Sequence, residues 1–261
     1  MSEPDSETLR VDPELVLPIL EEFVRSELGK TDLDNGIIGL SGGLDSSVTA
    51  SISVRALGPE RIRLVIMPHE VSSEASRKDA LEVANLLGVE PIVVPITDMT
   101  KGYPDYDGLD RIRAGNLMAR VRMIVLYDLS AQHDALVIGT SNKSEWLLGY
   151  GTLFGDMACA INPIGDLYKT QLRQLAPALG LPESIRRKVP TADLWEGQTD
   201  EGELGVEYET ADEILCRLVD KGLSVQEVID AGFDRELVES MWERVRRSEF
   251  KRHLPVICKL S

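Results

Sequence analysis

Residues 36–47 read Gly-Ile-Ile-Gly-Leu-Ser-Gly-Gly-Leu-Asp-Ser-Ser, a short apolar run followed by a glycine-rich turn. The run predicts a buried strand, and the residues from Ser46 onward predict a helix. Gly42 and Gly43 allow positive φ angles and bring backbone N–H groups close to an anion, which the N-terminus of the next helix also attracts. This stretch therefore predicts a phosphate-binding loop between a strand and a helix.

Hydroxyl and carboxylate side chains surround this loop. Ser41, Ser46 and Ser47 supply hydroxyl donors, whereas the Asp45 carboxylate would repel a phosphate unless a divalent cation lay between them. We therefore predict that Asp45 is a metal ligand. No Gly-Lys-Ser or Gly-Lys-Thr follows at the spacing of the common nucleotide loop, and the glycines do not fit a dinucleotide fingerprint. A Gly-Gly turn with a Ser or Asp helix cap is the alternative without a ligand.

The first two thirds of the chain alternate apolar runs with helical patterns. Strands are predicted at 36–40, 63–67, 92–96 and 135–139, and helices at 46–57, about 73–87 and about 114–131. An earlier helix starts at Pro13, and Leu15, Ile19 and Phe23 recur in it at helical spacing. This order predicts an α/β fold, a doubly wound parallel sheet flanked by helices. Ligands bind such sheets at the carboxyl ends of the strands, where we expect the turn at 41–45 to open into a crevice.

The C-terminal part has a helical pattern. Beyond residue 165, helices are predicted at 167–179, about 210–221, 224–231 and 234–251. The polar, turn-rich stretch 190–208 separates the first two, and a loop of that length in a compact enzyme is usually a lid or disordered. No Pro/Gly/Ser-rich linker divides the chain, so we expect residues 1–261 to form one domain.

Charge and composition exclude several classes of protein. A formal net charge of −16 argues against a nucleic-acid partner, because phosphate backbones require a basic face. No segment approaches the roughly 18 consecutive apolar residues of a membrane span, so we expect no membrane partner. The polar, acidic start of the chain predicts a cytoplasmic location. The three cysteines and three histidines lack the spacing of a disulfide framework or a zinc site.

Several motifs resemble known families. Ser-Gly-Gly-x-Asp-Ser after an apolar strand resembles the pyrophosphate loop of the N-type ATP pyrophosphatases, which adenylate a substrate and release pyrophosphate. Four further motifs are similar to those of NAD synthetases: Gly-Asn-x-x-Ala-Arg-x-Arg-Met at 115–123, Gly-Thr-x-x-x-x-Glu at 139–145, Pro-Thr-Ala-Asp-Leu at 190–194 and Gln-x-Asp-Glu-x-x-Leu-Gly at 198–205. The resemblance covers roughly residues 13–255 and implies the adenine nucleotide alpha hydrolase-like fold with a helical C-terminal part.

The resemblance also implies roles for individual residues. Asp45 and Glu145 would bind Mg²⁺, and Lys169 would act with Asp45 in catalysis by following the charge on the departing pyrophosphate. Deamido-NAD would bind Asn116, Arg120 and Asp156. The residues implied to bind ATP or pyrophosphate are Ser41, Gly42, Gly43, Ser46, Ser47, Thr140, Lys169 and Thr191. Arg77 lies in the stretch 67–77, which departs from the family's Pro-Tyr-Gly-x-Gln, and we expect it to bind the adenine or a phosphate of ATP.

The reaction that the resemblance implies has two steps. The carboxylate of nicotinic acid adenine dinucleotide (deamido-NAD) attacks the α-phosphorus of ATP, the co-substrate, and pyrophosphate leaves. Ammonia then attacks the acyl-adenylate, which releases AMP and forms NAD. The resemblance further implies a homodimer, and we expect the ammonia-dependent form, since 261 residues leave no room for the amidase domain of glutamine-dependent relatives. The alternatives are another adenylating amidotransferase of this fold, such as a GMP synthetase, and a non-catalytic module that senses ATP or AMP.

Overall fold

The computed structural model describes residues 9–191, 193–195, 197–253 and 256–260. Within these ranges one parallel sheet contains β1 (Asn35–Gly39), β2 (Ile62–Ile66), β3 (Ile92–Val93) and β4 (Ala135–Val137), in the order β3-β2-β1-β4. Ile37 of β1 pairs with Arg63 on one side and with Val137 on the other. The chain therefore runs outward from β1 to β3 and then crosses to the opposite side, which confirms the predicted doubly wound parallel sheet.

Helices flank this sheet and make up the C-terminal part. In chain order they are α1 (Pro13–Leu28), α2 (Leu44–Leu57), α3 (Glu74–Leu86), α4 (Thr97–Lys101), α5 (Arg111–Gln132), α6 (Lys143–Leu148), α7 (Lys169–Leu175), α8 (Glu183–Arg186), α9 (Asp200–Leu204), α10 (Tyr208–Leu215), α11 (Val225–Asp230) and α12 (Arg235–Arg247). The short helices α4, α6 and α8 were absent from the sequence prediction. The predicted helix at 210–221 is α10 followed by a π-helical turn, Cys216–Asp220.

The helix predicted at 167–179 is shorter at both ends. The Tyr168 N–H donates to the Gln171 side chain at 2.9 Å, and the helix begins at the next residue, Lys169. Ala176 still has helical backbone angles, but Pro177 has no N–H to continue the helical hydrogen bonds, and α7 ends at Leu175. The observed start is important because it puts Lys169 in the first turn of α7.

The stretch 190–208, predicted as an irregular loop, contains α9. The Thr199 hydroxyl accepts a hydrogen bond from the Gly202 N–H at 3.2 Å and caps this helix. Gly205 then adopts a φ of 74° and ends it. The short helix fixes the orientation of Asp200, its first residue.

The core lies on both faces of the sheet. Ile37 and Ile38 are neighbours in β1, are both fully buried, and pack into different apolar clusters on opposite faces. A third cluster joins α6 to the C-terminal helices and includes Tyr208 and Met241. Because both sheet faces are covered, the strands have continuous apolar sequences rather than alternating ones.

Within the described ranges, none of the helices combines enough length with enough apolar character to cross a bilayer. The cytoplasmic location stays a prediction.

Candidate active site

A cavity of about 540 Å³ opens at the carboxyl ends of the central strands. The turn after β1, Met67 after β2 and Thr140 after β4 all line it, as the topology predicts. Most residues assigned from the sequence also line it: Ser41, Gly43, Asp45, Ser46, Arg77, Asn116, Thr140, Glu145, Asp156, Lys169 and Thr191. Gly42, Ser47 and Arg120 were assigned to ligands as well, but they are not part of the cavity wall.

The glycine turn needs a glycine at one position only. Gly42 has a φ of 78°, whereas Gly43 is extended with a φ of −86°, so only Gly42 uses the positive φ that both glycines allow. A Cβ on Gly42 would lie 2.7 Å from the Ala80 nitrogen and closer still to the Ser76 carbonyl oxygen. The turn therefore packs against α3 with no space for a side chain at Gly42.

The serines of this turn have different environments. The Ser41 and Ser46 hydroxyls lie 3.0 Å apart at the cavity wall, and Ser41 Oγ accepts the Gly43 N–H at 3.2 Å. Ser47 is fully buried, and its hydroxyl donates to the Gly43 carbonyl at 2.6 Å. In this structure Ser47 stabilises the start of α2, so its predicted contact with pyrophosphate would require the hydroxyl to change partner.

A buried ammonium group lies among carboxylates beside the turn. Lys169 is 3% exposed, and its Nζ contacts the Asp45 carboxylate and lies 3.7 Å from Glu145 Oε1. Burial alone would lower the pKa of Lys169, but the nearby carboxylates of Asp45, Glu145 and Asp200 outweigh it and raise the pKa. Lys169 is therefore held as a cation inside the protein.

Burial and the neighbouring Asp45 charge raise the pKa of Glu145, although Lys169 opposes this shift. Burial likewise raises the pKa of Asp200. Three carboxylates thus share one lysine cation, and negative charge is in excess at this point of the cavity.

Hydrogen bonds from three helices hold this cluster in place. Asn142 caps α6, and its Nδ2 donates to Asp45 Oδ1 at 2.9 Å. The Lys169 N–H donates to Ser144 Oγ at 3.0 Å, and that hydroxyl donates to Asp212 Oδ1 of α10 at 2.5 Å. Asp212 is fully buried, and burial raises the pKa of its carboxyl to about 6. The sheet end, α6, α7 and α10 thereby form one connected support for Lys169.

The donor set around Asp45 and Glu145 is compatible with Mg²⁺. Within the described residues no group of three or more His, Cys, Asp or Glu side chains forms a metal site of its own. Magnesium, however, usually binds one or two carboxylates and takes its other ligands from phosphates and water. The excess negative charge beside Lys169 favours a divalent cation, and the adjacent turn would place phosphate oxygens there.

Hydrogen bonds attach the segment that contains α9 to the wall of the cavity. The Tyr150 hydroxyl lies 3.1 Å from both Asp200 Oδ1 and Glu203 Oε2, and the Tyr208 hydroxyl donates to Asp200 Oδ2 at 3.3 Å. Gln198 adds a hydrogen bond to Glu203 Oε1 at 3.1 Å. These contacts bring a third carboxylate, Asp200, to the Lys169 cluster.

Two of the three residues assigned to deamido-NAD, Asn116 and Asp156, line the cavity. Asn116 Oδ1 accepts the Thr152 hydroxyl at 2.7 Å, and Asp156 Oδ1 accepts the Thr152 N–H at 2.8 Å. The protein atoms crowded around the Asp156 carboxyl raise its pKa. Arg120 is exposed outside the cavity and donates to the Leu153 carbonyl at 3.4 Å. Arg122 lines the cavity instead and donates to the Met67 carbonyl at 3.2 Å.

Both the sequence and the fold resemble those of known proteins. The model of the NAD synthase family matches residues 16–255. The chain belongs to the NAD synthase family. A curated relative, the NH₃-dependent NAD⁺ synthetase of Trichlorobacter lovleyi, is 48% identical over 97% of this chain and 93% of the relative.

Two solved structures resemble this member of the NAD synthase family over 96% of its length and 100% of theirs. The NMN synthetase of Francisella tularensis has a TM-score of 0.86 at 31% identity, and the NH₃-dependent NAD synthetase of Campylobacter jejuni has a TM-score of 0.82 at 32% identity. These likenesses confirm the fold and the family that the motifs predicted.

The structure adds cavity residues that were not assigned from the sequence. Asp200 and Arg122 both lie inside motifs quoted above, so a signal for each was present in the sequence. Lys188 lies two residues before the Pro-Thr-Ala-Asp-Leu motif and also lines the cavity. No pattern in the sequence indicated that these three side chains line one cavity with the turn after β1.

Proposed function

We propose that this NAD synthase family member is an ammonia-dependent ligase that converts deamido-NAD to NAD, with ATP as co-substrate and AMP and pyrophosphate as products. The observation that carries the proposal is the buried Lys169 cation among carboxylates, next to a glycine turn at the strand ends. A fixed cation at that position stabilises charge that develops when pyrophosphate leaves. The names of the curated relatives support the same reaction.

Mg²⁺ would be held by Asp45 and Glu145, the pair for which the donor set fits. When bound, it would neutralise charge on the phosphates of ATP. Lys169 currently contacts the same two carboxylates, and its long flexible side chain can turn toward a phosphate when they bind a metal.

The chain's own residues would align the two substrates. The Gly43 N–H, the Ser41 and Ser46 hydroxyls and the N-terminus of α2 would hold the phosphates of ATP. Asn116 and Asp156, which also line the cavity, would hold deamido-NAD so that its carboxylate can attack the α-phosphorus. The segment with α9 would exclude water, which otherwise hydrolyses an acyl-adenylate.

The product mixture tests this proposal. Purified protein given ATP, Mg²⁺, ammonium and deamido-NAD should yield NAD, AMP and pyrophosphate. ADP as the nucleotide product would refute the adenylating reaction, and amination of XMP would identify a GMP synthetase. ATP binding without turnover would favour the sensing module. Because the fold resembles that of an NMN synthetase, nicotinic acid mononucleotide should be assayed beside deamido-NAD. Faster amidation of the mononucleotide would show that deamido-NAD is not the preferred substrate.

We also propose that residues 1–261 form one domain and that two copies form a homodimer. Bonds from α6 to the C-terminal helices support one domain; the Lys143 ammonium, for example, lies 2.8 Å from Asp220 Oδ1. Ile112, Ile124 and Tyr127 of α5 are 64%, 52% and 41% exposed, and such apolar surface supports a second copy as partner. Light scattering should give about twice the 28.8 kDa chain mass; a monomer would contradict the dimer.

A further inference from the structure

Lys188 reaches from the start of the segment 190–208 to the glycine turn after β1. Its ammonium donates to the Gly42 carbonyl at 3.1 Å, to Ser76 Oγ at 3.2 Å and to Asp79 Oδ2 at 2.7 Å. The Lys188 and Asp79 side chains are 19% and 16% exposed, so this ion pair is well shielded from water. All three ammonium protons have protein acceptors, and none is left for a ligand.

The contact with Gly42 determines the direction of the next N–H group. In a trans peptide the C=O and N–H bonds point in opposite directions. Since Lys188 holds the Gly42 carbonyl against α3, the Gly43 N–H points away from α3, toward Ser41 Oγ at 3.2 Å. Gly43 and Ser41 line the cavity, whereas Gly42 does not.

The position of Lys188 in the sequence gives this contact a second consequence. Lys188 is followed directly by Val189 and Pro190, which lead into the segment that carries Asp200. Asp200 N–H donates to the Pro190 carbonyl at 2.9 Å. The glycine turn, α3 and the segment over the cavity are therefore connected through one ammonium group.

We propose that Lys188 is a positioning residue: it keeps the Gly43 N–H on the cavity side of the turn, and it anchors the adjacent segment 190–208 to the turn. The Gly43 N–H donates to Ser41 Oγ in this structure and would donate to the leaving pyrophosphate when that anion is bound. The inference rests on the proposed function for the identity of the anion. The paired Asp79 carboxylate offsets the lysine charge, so Lys188 acts through peptide geometry rather than through its own field.

The test compares Lys188→Met with Arg187→Met. Arg187 is the neighbouring cation, and its side chain is 81% exposed. Among the described residues it forms an ion pair with Glu183 of α8, so its loss controls for charge. Calorimetry with inorganic pyrophosphate and Mg²⁺ should show that Lys188→Met binds pyrophosphate roughly tenfold more weakly than wild type, because one N–H group no longer donates a hydrogen bond to the anion. The KM for ATP should rise in parallel, while the KM for deamido-NAD stays unchanged. Wild-type pyrophosphate affinity in Lys188→Met would overturn the inference.

A double variant separates geometry from charge. Lys188→Met leaves the Asp79 carboxylate unpaired, and repulsion by that charge alone could weaken pyrophosphate binding. Lys188→Met with Asp79→Asn removes the charge, so continued weak binding supports positioning and restored binding overturns it. If the single variant does not fold, the double variant provides the measurement. Failure of wild-type enzyme to form NAD would refute the proposed function, but pyrophosphate affinity would still decide the role of Lys188.

Discussion

Replacement of Gly42 by alanine should destabilise the protein more than any other single methyl group added to the glycine turn. The new Cβ would lie 2.7 Å from the Ala80 nitrogen, against ordinary contacts of 3.4–4 Å, and it would also meet the Ser76 carbonyl oxygen. Both obstacles are backbone atoms of α3, which cannot rotate away as a side chain could. The residue would also keep a φ of 78°, which L-residues rarely adopt.

The two effects give the expected magnitude. Left-handed backbone costs an alanine roughly 1–2 kcal/mol, and forcing a methyl group into a packed region adds about 1–3 kcal/mol. We therefore expect Gly42→Ala to lower the free energy of unfolding by about 2–5 kcal/mol. Gly180→Ala isolates the first effect, since Gly180 has a φ of 69° and nothing within 4 Å of the new Cβ, and should cost only about 1–2 kcal/mol.

Urea unfolding followed by circular dichroism measures both variants and Gly43→Ala. At Gly43 the backbone is extended and a Cβ would meet only Ser41 Oγ at 3.3 Å, so the stability should change by less than about 0.5 kcal/mol. Turnover of Gly43→Ala should nevertheless fall, because the methyl group would lie where phosphate approaches. The reasoning about α3 is refuted if Gly42→Ala and Gly180→Ala have equal unfolding free energies.

Three further predictions concern the charged cluster and the segment over it. Glu145→Gln should abolish turnover at ordinary Mg²⁺ and leave the fold intact, and near-normal activity would remove the proposed metal ligand. The pKa of Asp212 is about 6 in the folded protein, against an ordinary value of 3.8. The free energy of unfolding of wild type, relative to Asp212→Asn, should therefore rise by up to roughly 3 kcal/mol as the pH falls from about 7 to 4. Urea unfolding with no such trend would contradict the raised pKa. Tyr150→Phe loses hydroxyl contacts to the segment 190–208, so limited proteolysis there should be roughly tenfold faster than in wild type and slowed by substrates; equal rates would show that these bonds do not fasten it.

The sequence predicted the central strands and the turn after β1 because these features are local. Residues 36–47 contain an apolar run, glycines and a helix start within one strand–turn–helix unit, whose geometry depends on neighbours along the chain. The meeting of Asp45 with Glu145 was also predictable, since both follow neighbouring strands of a parallel sheet. That they bind a metal stays a prediction.

Other parts of the site depend on contacts between distant segments. Asp200 approaches Lys169 because the hydroxyls of Tyr150, 50 positions earlier, and of Tyr208, the first residue of α10, both donate hydrogen bonds to its carboxylate. Lys188 reaches Gly42 across 146 positions of sequence. Neither approach has a periodicity or a spacing that could reveal it.

The helices show the same division between local pattern and tertiary packing. The spacing of Leu15 and Ile19 indicated a helix, and α1 is one, yet both side chains are 67% exposed while Leu17 and Val24 are buried. Arg120 and Arg122 are two positions apart on α5 and so face different directions. The sequence by itself determined that α5 carries two arginines on different faces. Only the packing of α5 against β1 and β4 decided that Arg122 enters the cavity, because burial of apolar residues fixes the rotation of a helix about its axis.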